Sequence, residues 1–134
     1  MKKDIPPLIA EGIAIAVVKE NNELGEFEWN VYLLNRKKIA IENILISSRG
    51  YGEKENQKVE TSQLRHFIEI LPPESFQKIE PIIEEVFGIS NQYWISFYQD
   101  EKLYDKKYIF LAESINDANF TTIPLVNKPG VMIE

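Results

Sequence analysis

The pattern of hydrophobic and polar positions along the chain predicts a protein built mostly of short β-strands. Residues 27–36 alternate between apolar and polar positions, as a strand with one buried face does. Residues 12–19 are apolar at nearly every position, which is typical of a central strand buried on both faces. Further strands are predicted over residues 41–48, 63–71, 75–80, 93–99, 106–112 and 120–125. Pro124 places the last of these at a sheet edge, because proline has no N–H to donate to a neighbouring strand.

Residues 74–87 admit two interpretations. Their apolar residues approximate helical spacing, but Pro81 in the middle of a helix would cost about 3 kcal/mol. A strand over residues 75–80 followed by a short helix over residues 81–87 avoids this cost, because proline is favoured at the first position of a helix.

Seven or eight short strands at nearly regular spacing predict a mostly β protein. The expected fold is an immunoglobulin-like antiparallel β-sandwich with one short helix over residues 81–87, since such domains often place a helix before their penultimate strand. The alternative is an α+β domain, in which one helix over residues 74–87 packs on an antiparallel sheet.

The length of 134 residues and the even composition predict a single domain over residues 1–134. Residues 1–11 form a short N-terminal tail in this prediction, and Pro6 and Pro7 keep it extended. Near the N-terminus the longest uncharged run, residues 12–18, is too short for a membrane span of about 20 residues. We therefore expect a soluble, cytoplasmic protein with no membrane partner.

Charge and composition narrow the chemistry. The formal net charge of -6 at pH 7 argues against nucleic acid as a partner, because nucleic-acid binding needs a basic face. The absence of cysteine and the single histidine exclude a thiolate metal site, a catalytic thiol and a His-rich metal site. A Gly-rich phosphate loop and a G-x-S-x-G nucleophile elbow are also missing from the sequence. We therefore predict no catalytic residue, no metal and no cofactor, and the balance favours a protein that is not an enzyme.

His66 is the only candidate for an imidazole base. It lies in the alternating segment 63–71, on the face that is predicted to carry Leu64, Ile68 and Ile70 as well. This position favours a structural histidine that bonds a backbone carbonyl or a carboxylate. The alternative is a binding group beside Arg65, which would make the protein a small-molecule binder or an enzyme with a pocket near His66 and Arg65.

Residues 49–58 are predicted to form a polar loop, in which Gly50 and Gly52 supply positive φ angles. Arg49 and Tyr51 lie in this loop, and both residue types are enriched in the hot spots of protein interfaces. The leading hypothesis is a non-catalytic soluble protein-binding module, with four candidate partner-binding residues: Arg49, Tyr51, Arg65 and His66.

A second copy of the chain is another possible partner. The two Trp, six Tyr and seven Phe are more than one small core must hide, so some aromatic side chains are expected on the surface. Tyr32 or Trp94 on a sheet face, or the edge strand over residues 120–125, offers a route to a homodimer.

Several stretches resemble a family of small bacterial proteins of uncharacterised function and about this length. The resemblance rests on NELGEFEWNVYLLN at 22–35, SSRGYGE at 47–53, TSQLRH at 61–66, KIEPIIEEVFG at 78–88, YWISFY at 93–98, YDKKYIFLAESI at 104–115 and FTTIPL at 120–125. Members of the family often carry the label phenylalanyl-tRNA synthetase alpha subunit.

The residues argue against synthetase activity. A synthetase alpha subunit has a class II catalytic domain several times larger than this chain, and its ATP-binding motifs carry arginines. The only arginines here are Arg36, Arg49 and Arg65, and they match none of those motifs. The resemblance therefore implies a family without a known activity and transfers no catalytic residue. It leaves an accessory factor of the tRNA synthetase machinery as a third hypothesis.

Overall fold

Strands account for most of the residues that the structure, a computed structural model, describes, which are residues 7–134. In chain order the strands are β1 Leu8–Ile9, β2 Ile13–Asn21, β3 Phe27–Asn35, β4 Ile41–Lys54, β5 Gln57–Glu60, β6 Leu64–Leu71, β7 Ser75–Ile82, β8 Ser90–Gln99, β9 Lys102–Phe110, β10 Thr121–Thr122 and β11 Pro129–Ile133. Within this part of the chain the helical elements are two single turns of 3-10 helix, Glu84–Val86 and Asp117–Asn119.

The strands form two sheets. The first sheet has the order β1-β9-β8-β4, and both β5 and β6 pair with the other side of the long strand β4. The second sheet has the order β10-β11-β2-β3-β7. Every pairing is antiparallel except that of β1 with β9. The predicted antiparallel β-sandwich is thus confirmed.

The strand order is that of an immunoglobulin-like domain with one difference. If β2, β3, β4, β6, β7, β8 and β9 are lettered A to G, then A, B and E share one sheet and C, F and G share the other. The fourth strand, β6, pairs with strand C rather than with strand E. Within residues 7–134, both β6 and β7 therefore have one free edge, and the contact between His66 and Glu80 shows that these two edges lie on the same side of the sandwich.

The core lies between the two sheets and follows from the alternation of side chains along each strand. Ile15 and Val17 of β2 point inward from the second sheet and are fully buried. Ile95 and Phe97 of β8 point inward from the first sheet and belong to the same cluster. One contiguous cluster of this kind is expected of a single domain.

The outer face of β2 is also buried, which explains why residues 12–19 are apolar on both faces. Ala14, Ala16 and Val18 point away from the core, and the chain between β10 and β11 covers them with Ile123 and Val126. A strand between two apolar layers needs apolar side chains at every position.

The predicted helix over residues 81–87 is shortened to the single 3-10 turn Glu84–Val86. Pro81 lies instead inside β7, opposite Asn30 of β3. Because β7 is an edge strand, a residue without an N–H is tolerated there. The α+β alternative, with a helix over residues 74–87, is wrong.

The predicted loop over residues 49–58 is also wrong. Strand β4 continues to Lys54, and β5 returns beside it through a turn at Glu55 and Asn56, whose φ angles are 51° and 65°. Gly50 and Gly52 lie within β4 without positive φ angles. A Cβ atom on either glycine would approach the side chain of Ile89 to 3.0 Å, so the absence of a side chain at these positions allows close packing against Ile89.

The two ends of the chain differ in part from the prediction. Of the predicted tail over residues 1–11, Leu8 and Ile9 pair with β9, Ala10 is buried, and residues 1–6 lie outside the described residues. The predicted strand over residues 120–125 is reduced to the two-residue β10, which does lie at a sheet edge. Strand β11 was not predicted. No helix between residues 7 and 134 is long and apolar enough to cross a membrane.

Candidate functional site

The outer face of the first sheet, formed by the side chains of β6, β4, β8 and β9 that point away from the core, exposes large apolar residues. Leu45 is 58% exposed and Phe67 is 59% exposed, and the two lie directly opposite each other on β4 and β6. Trp94, on the next strand of this face, is 46% exposed. We call the exposed apolar set of this face the apolar patch; it consists of Leu45, Phe67, Ile70, Trp94, Tyr98 and Leu103.

Three of the four predicted partner-binding residues lie on this same face. Arg49 and Tyr51 alternate on β4 with the inward positions, and the Arg49 guanidinium lies 4.8 Å from the centre of the Tyr51 ring. Arg65 of β6 is opposite Ser47, which is in turn opposite Trp94. The strand pairing thus brings Arg49, Tyr51 and Arg65 around the apolar patch, although none of them lies in a flexible loop.

A lysine of the neighbouring strand lies beside Trp94. The ammonium of Lys107, on the cross-strand neighbour in β9, is 4.9 Å from the centre of the Trp94 indole. Such a contact covers one face of the ring and holds it in place. The tryptophan and the cations therefore form a combination that is common in protein interfaces.

His66 lies on the opposite face of β6 from Arg65, because successive side chains of a strand point to opposite faces. Its Nε2 atom is 2.7 Å from Oε1 of Glu80, which is the carboxylate contact that the structural interpretation predicts. The structure therefore separates His66 from Arg65, and the two do not share a pocket.

Glu80 is the centre of a polar cluster between the sheets. Its side chain is 10% exposed and lies on β7 of the second sheet, whereas its partners lie on the first sheet. The Ser48 hydroxyl donates to Glu80 at 2.9 Å and the Tyr93 hydroxyl at 3.1 Å, in addition to the His66 contact. Burial, together with the charge of Glu80, raises the pKa of Tyr93 well above its ordinary value of 10, so this hydroxyl stays a donor.

This geometry is not that of a serine–histidine–carboxylate triad. In such a triad the histidine is the base that bonds the serine hydroxyl, and the carboxylate orients the histidine. Here Ser48 and His66 both bond Glu80 directly, and no hydrogen bond links Ser48 to His66. The hydrogen bonds of the cluster connect the two sheets.

A cleft with a volume of about 260 Å³ opens beside Glu80, on the side where β6 and β7 have free edges. Its walls are mostly apolar and include Thr61, Leu64, Pro81, Ile83 and Val86. The volume lies just below the ~300 Å³ at which pockets for drug-sized ligands begin. The cleft can therefore hold a small ligand or a single side chain.

Sequence reasoning missed Phe67, Leu45 and Glu80. The exposure of Phe67 could have been predicted from the sequence. If His66 points inward, the next residue of the strand, Phe67, points toward solvent. The role of Glu80 could not, since it is one of 21 acidic residues and its partners come from distant strands. Of the two aromatic residues proposed for a sheet face, Trp94 is exposed, and Tyr32 is buried.

No group of three or more His, Asp or Glu side chains within residues 7–134 is placed to hold a metal ion. The chain matches no model of a known protein family, and no curated protein is significantly similar to it. The functional assignment therefore depends on the geometry of the two sheets and of the cleft.

Proposed function

We propose that the protein is a non-catalytic, soluble, cytoplasmic module that binds another protein through the outer face of the first sheet. The apolar patch carries this proposal. Single exposed apolar residues are common on protein surfaces, but a contiguous group of them marks an interaction site. The patch is bordered by Arg49 and Arg65, and it contains Trp94 and Tyr98, all of residue types that dominate interface energetics.

The arrangement around Glu80 supports a non-catalytic role. The carboxylate of Glu80 is engaged by donors from the other sheet, and no hydrogen bond links the hydroxyl of Ser48 to the imidazole of His66. The polar groups that most resemble catalytic residues thus act in holding the sandwich together.

The test compares two matched phenylalanine variants. Phe67 lies in the patch, whereas Phe27, at the start of β3, is 69% exposed and belongs to the second sheet. Threonine suits an exposed strand position, so Phe67→Thr and Phe27→Thr should both fold. Tagged wild-type protein and both variants are used to capture partners from nuclease-treated lysate of the source organism, with quantitative mass spectrometry.

A stoichiometric partner that wild type and Phe27→Thr retain and that Phe67→Thr loses supports the proposal. Equal capture of that partner by Phe67→Thr contradicts the assignment to this face. Nuclease treatment ensures that a shared nucleic acid does not mimic a protein contact.

The cleft beside Glu80 favours a second candidate, a small-molecule binder or enzyme. It lies next to His66, although its walls include Arg49 rather than Arg65. A thermal-shift screen against metabolites tests this candidate, because a ligand that binds only the folded state raises the melting temperature. The variant Leu64→Trp, which fills the cleft, should abolish the shift, and Phe67→Thr should keep it. A shift that survives in Leu64→Trp places the ligand elsewhere.

The accessory-factor hypothesis stays a prediction from the resemblance. Titration with tRNA at low salt tests it, since electrostatic contacts to phosphate are strongest under that condition. Absence of binding there would count against it.

A further inference from the structure

We propose that the partner of the outer face is a second copy of the chain, in a two-fold symmetric dimer. The inference rests on the proposed function, since it names the occupant of the same surface. Its basis is the distribution of charge across the face, which is complementary to itself.

A basic band crosses the face on one side of the apolar patch, and Glu53 and Glu60 lie beyond this band, on the side away from the patch. Arg49 lies on β4, toward its C-terminal end. We call a set of residues that are directly opposite one another on neighbouring strands a row; the row two residues before Arg49 consists of Arg65, Ser47, Trp94 and Lys107, in this order across the sheet. All three cations are on the outer face, and each is exposed.

The other end of the face is acidic. Asp105 of β9 lies one row beyond Lys107, opposite Ser96, in the row that also contains Leu45 and Phe67. Glu42 of β4 lies in the following row, opposite Tyr98. Basic residues therefore lie toward one side of the apolar patch, and acidic residues lie toward the other side.

A two-fold axis that relates two stacked faces must lie in the plane between them. If the axis is perpendicular to the strands, each strand lies over the same strand of the partner subunit, and the two run in opposite directions. Arg49 then lies opposite Glu42 of the partner subunit, and Lys107 lies opposite Asp105 of the partner subunit. Arg65 then lies above Phe67 of the partner subunit, a cation over an aromatic face.

The alternative axis, parallel to the strands, is disfavoured by charge. With this axis, β6 lies over β9 of the partner subunit, and residues that are paired across the strands in one copy lie over the same set in the other. Arg65 then lies opposite Lys107 of the partner subunit. Like charges at this distance oppose association. Of these two arrangements with aligned strands, the charge pattern therefore favours the first, and an isologous interface of this kind closes as a dimer.

A partner with a single sign of charge fits the face less well. An acidic protein would meet Glu42 and Asp105, and a basic one would meet Arg49, Arg65 and Lys107. A second copy carries both signs in the required order and therefore fits the face better than either.

The area of the face agrees with a dimer of moderate affinity. Four strands spaced about 4.8 Å apart, over eight residues at about 3.3 Å each, give a face of about 19 by 26 Å, or roughly 500 Å² in projection. Side-chain relief raises the accessible area toward the ~600 Å² per partner at the lower limit for specific interfaces. A dissociation constant on the order of micromolar is therefore expected.

The experiment uses charge reversal at the proposed Arg49–Glu42 pair. These residues are seven positions apart on one strand, which is about 23 Å, so they do not pair within one copy. Arg49→Glu alone places two acidic pairs in the dimer, and Glu42→Arg alone places two basic pairs. Each change should raise the dimer dissociation constant by about tenfold or more. An equimolar mixture restores two attractive pairs and should dimerise as wild type does.

Sedimentation velocity is measured from about 1 μM to about 500 μM, which brackets a micromolar dissociation constant. Wild type and Phe27→Thr should dimerise, Phe67→Thr should stay monomeric, and recovery in the mixture excludes misfolding as the cause of the single-variant losses. Wild type that stays monomeric throughout overturns the inference, as does a mixture that fails to recover.

The two proposals fail separately. If wild type is monomeric and Phe67→Thr loses a different protein, the face is still a binding site and only the second copy is wrong. If wild type is monomeric and Phe67→Thr retains every partner, both proposals are wrong.

Discussion

Replacing Glu80 with alanine tests the carboxylate that connects the two sheets. The carboxylate accepts hydrogen bonds from Ser48, Tyr93 and His66, all of which lie on the other sheet. Ser48 and Tyr93 are 5% and 2% exposed, so their hydroxyls would lose their partner in a largely buried environment. His66 is more accessible and can bond water instead.

The magnitude follows from these exposures. A buried donor left without an acceptor costs about 1–3 kcal/mol, and the lower end applies here because both hydroxyls border a cleft that water can enter. With about 1 kcal/mol for the lost His66 contact, the free energy of unfolding should fall by about 2–3 kcal/mol. For a domain of this size that corresponds to a fall of about 10 °C in the melting temperature.

The assay is thermal and urea unfolding followed by tryptophan fluorescence, with Glu69→Ala as the control. Glu69 is an exposed glutamate of β6, and its replacement should change stability by no more than about 0.5 kcal/mol. A loss below about 1 kcal/mol in Glu80→Ala would refute the reasoning, because one unsatisfied buried hydroxyl already costs that much. Tyr93→Phe adds a double-mutant cycle, in which a coupling energy near zero would show that the Tyr93 bond contributes nothing.

Two further predictions concern the second sheet. Tyr32 donates to the buried carboxylate of Glu20 at 2.9 Å, and burial followed by that carboxylate raises the pKa of Tyr32 to about 12. The unfolded chain loses this proton near pH 10, so stability should fall between about pH 10 and pH 12, and Tyr32→Phe should reduce the fall in a series of melting temperatures. A Cβ on Gly130 would lie 2.2 Å from the carbonyl oxygen of Val17, so Gly130→Ala should displace β11 and destabilise by about 2 kcal/mol or more. Gly88→Ala, whose Cβ would meet no atom closer than 3.5 Å, is the control in urea unfolding; equal midpoints for the two variants would contradict the clash.

The parts of the fold that could be predicted are those in which local pattern and tertiary environment agree. Residues 27–36 alternate because β3 has one face in the core, and the prediction is within one residue of Phe27–Asn35. Pro81 misled the prediction because proline starts a helix as readily as it occupies a strand edge. Only the pairing of β7 with β3 decides between these two environments.

Gly50 and Gly52 show a second kind of failure. Glycine in a polar segment suggests positive φ angles, but these two serve the close approach of Ile89 from a distant part of the chain. Sequence alone does not distinguish a glycine that bends the backbone from one that leaves room for a neighbour. Glu80 could not be predicted for a similar reason, because its role depends on side chains from strands that are distant in sequence.

Part of the candidate site could be predicted from the sequence. Arg49, Tyr51 and Arg65 have the composition of an interface, and the pairing of β4 with β6 brings them to one face. His66 was grouped with Arg65 by proximity in sequence, yet adjacent residues of a strand point to opposite faces. Strand period alone would have assigned them to different sites.

The two sheets differ in how their outer faces are covered, and this difference bears on function. The chain between β10 and β11 lies over the second sheet, where Ile123 is fully buried against Ala14 and Ala16. Among residues 7–134 no comparable segment lies over Leu45 and Phe67 on the first sheet, which stay more than half exposed. Burial of apolar surface contributes about 25 cal/mol per Å², so an uncovered patch is a source of binding energy for a molecule that covers it. Because the chain covers one face of the sandwich with its own residues, we expect the other face to be covered from outside.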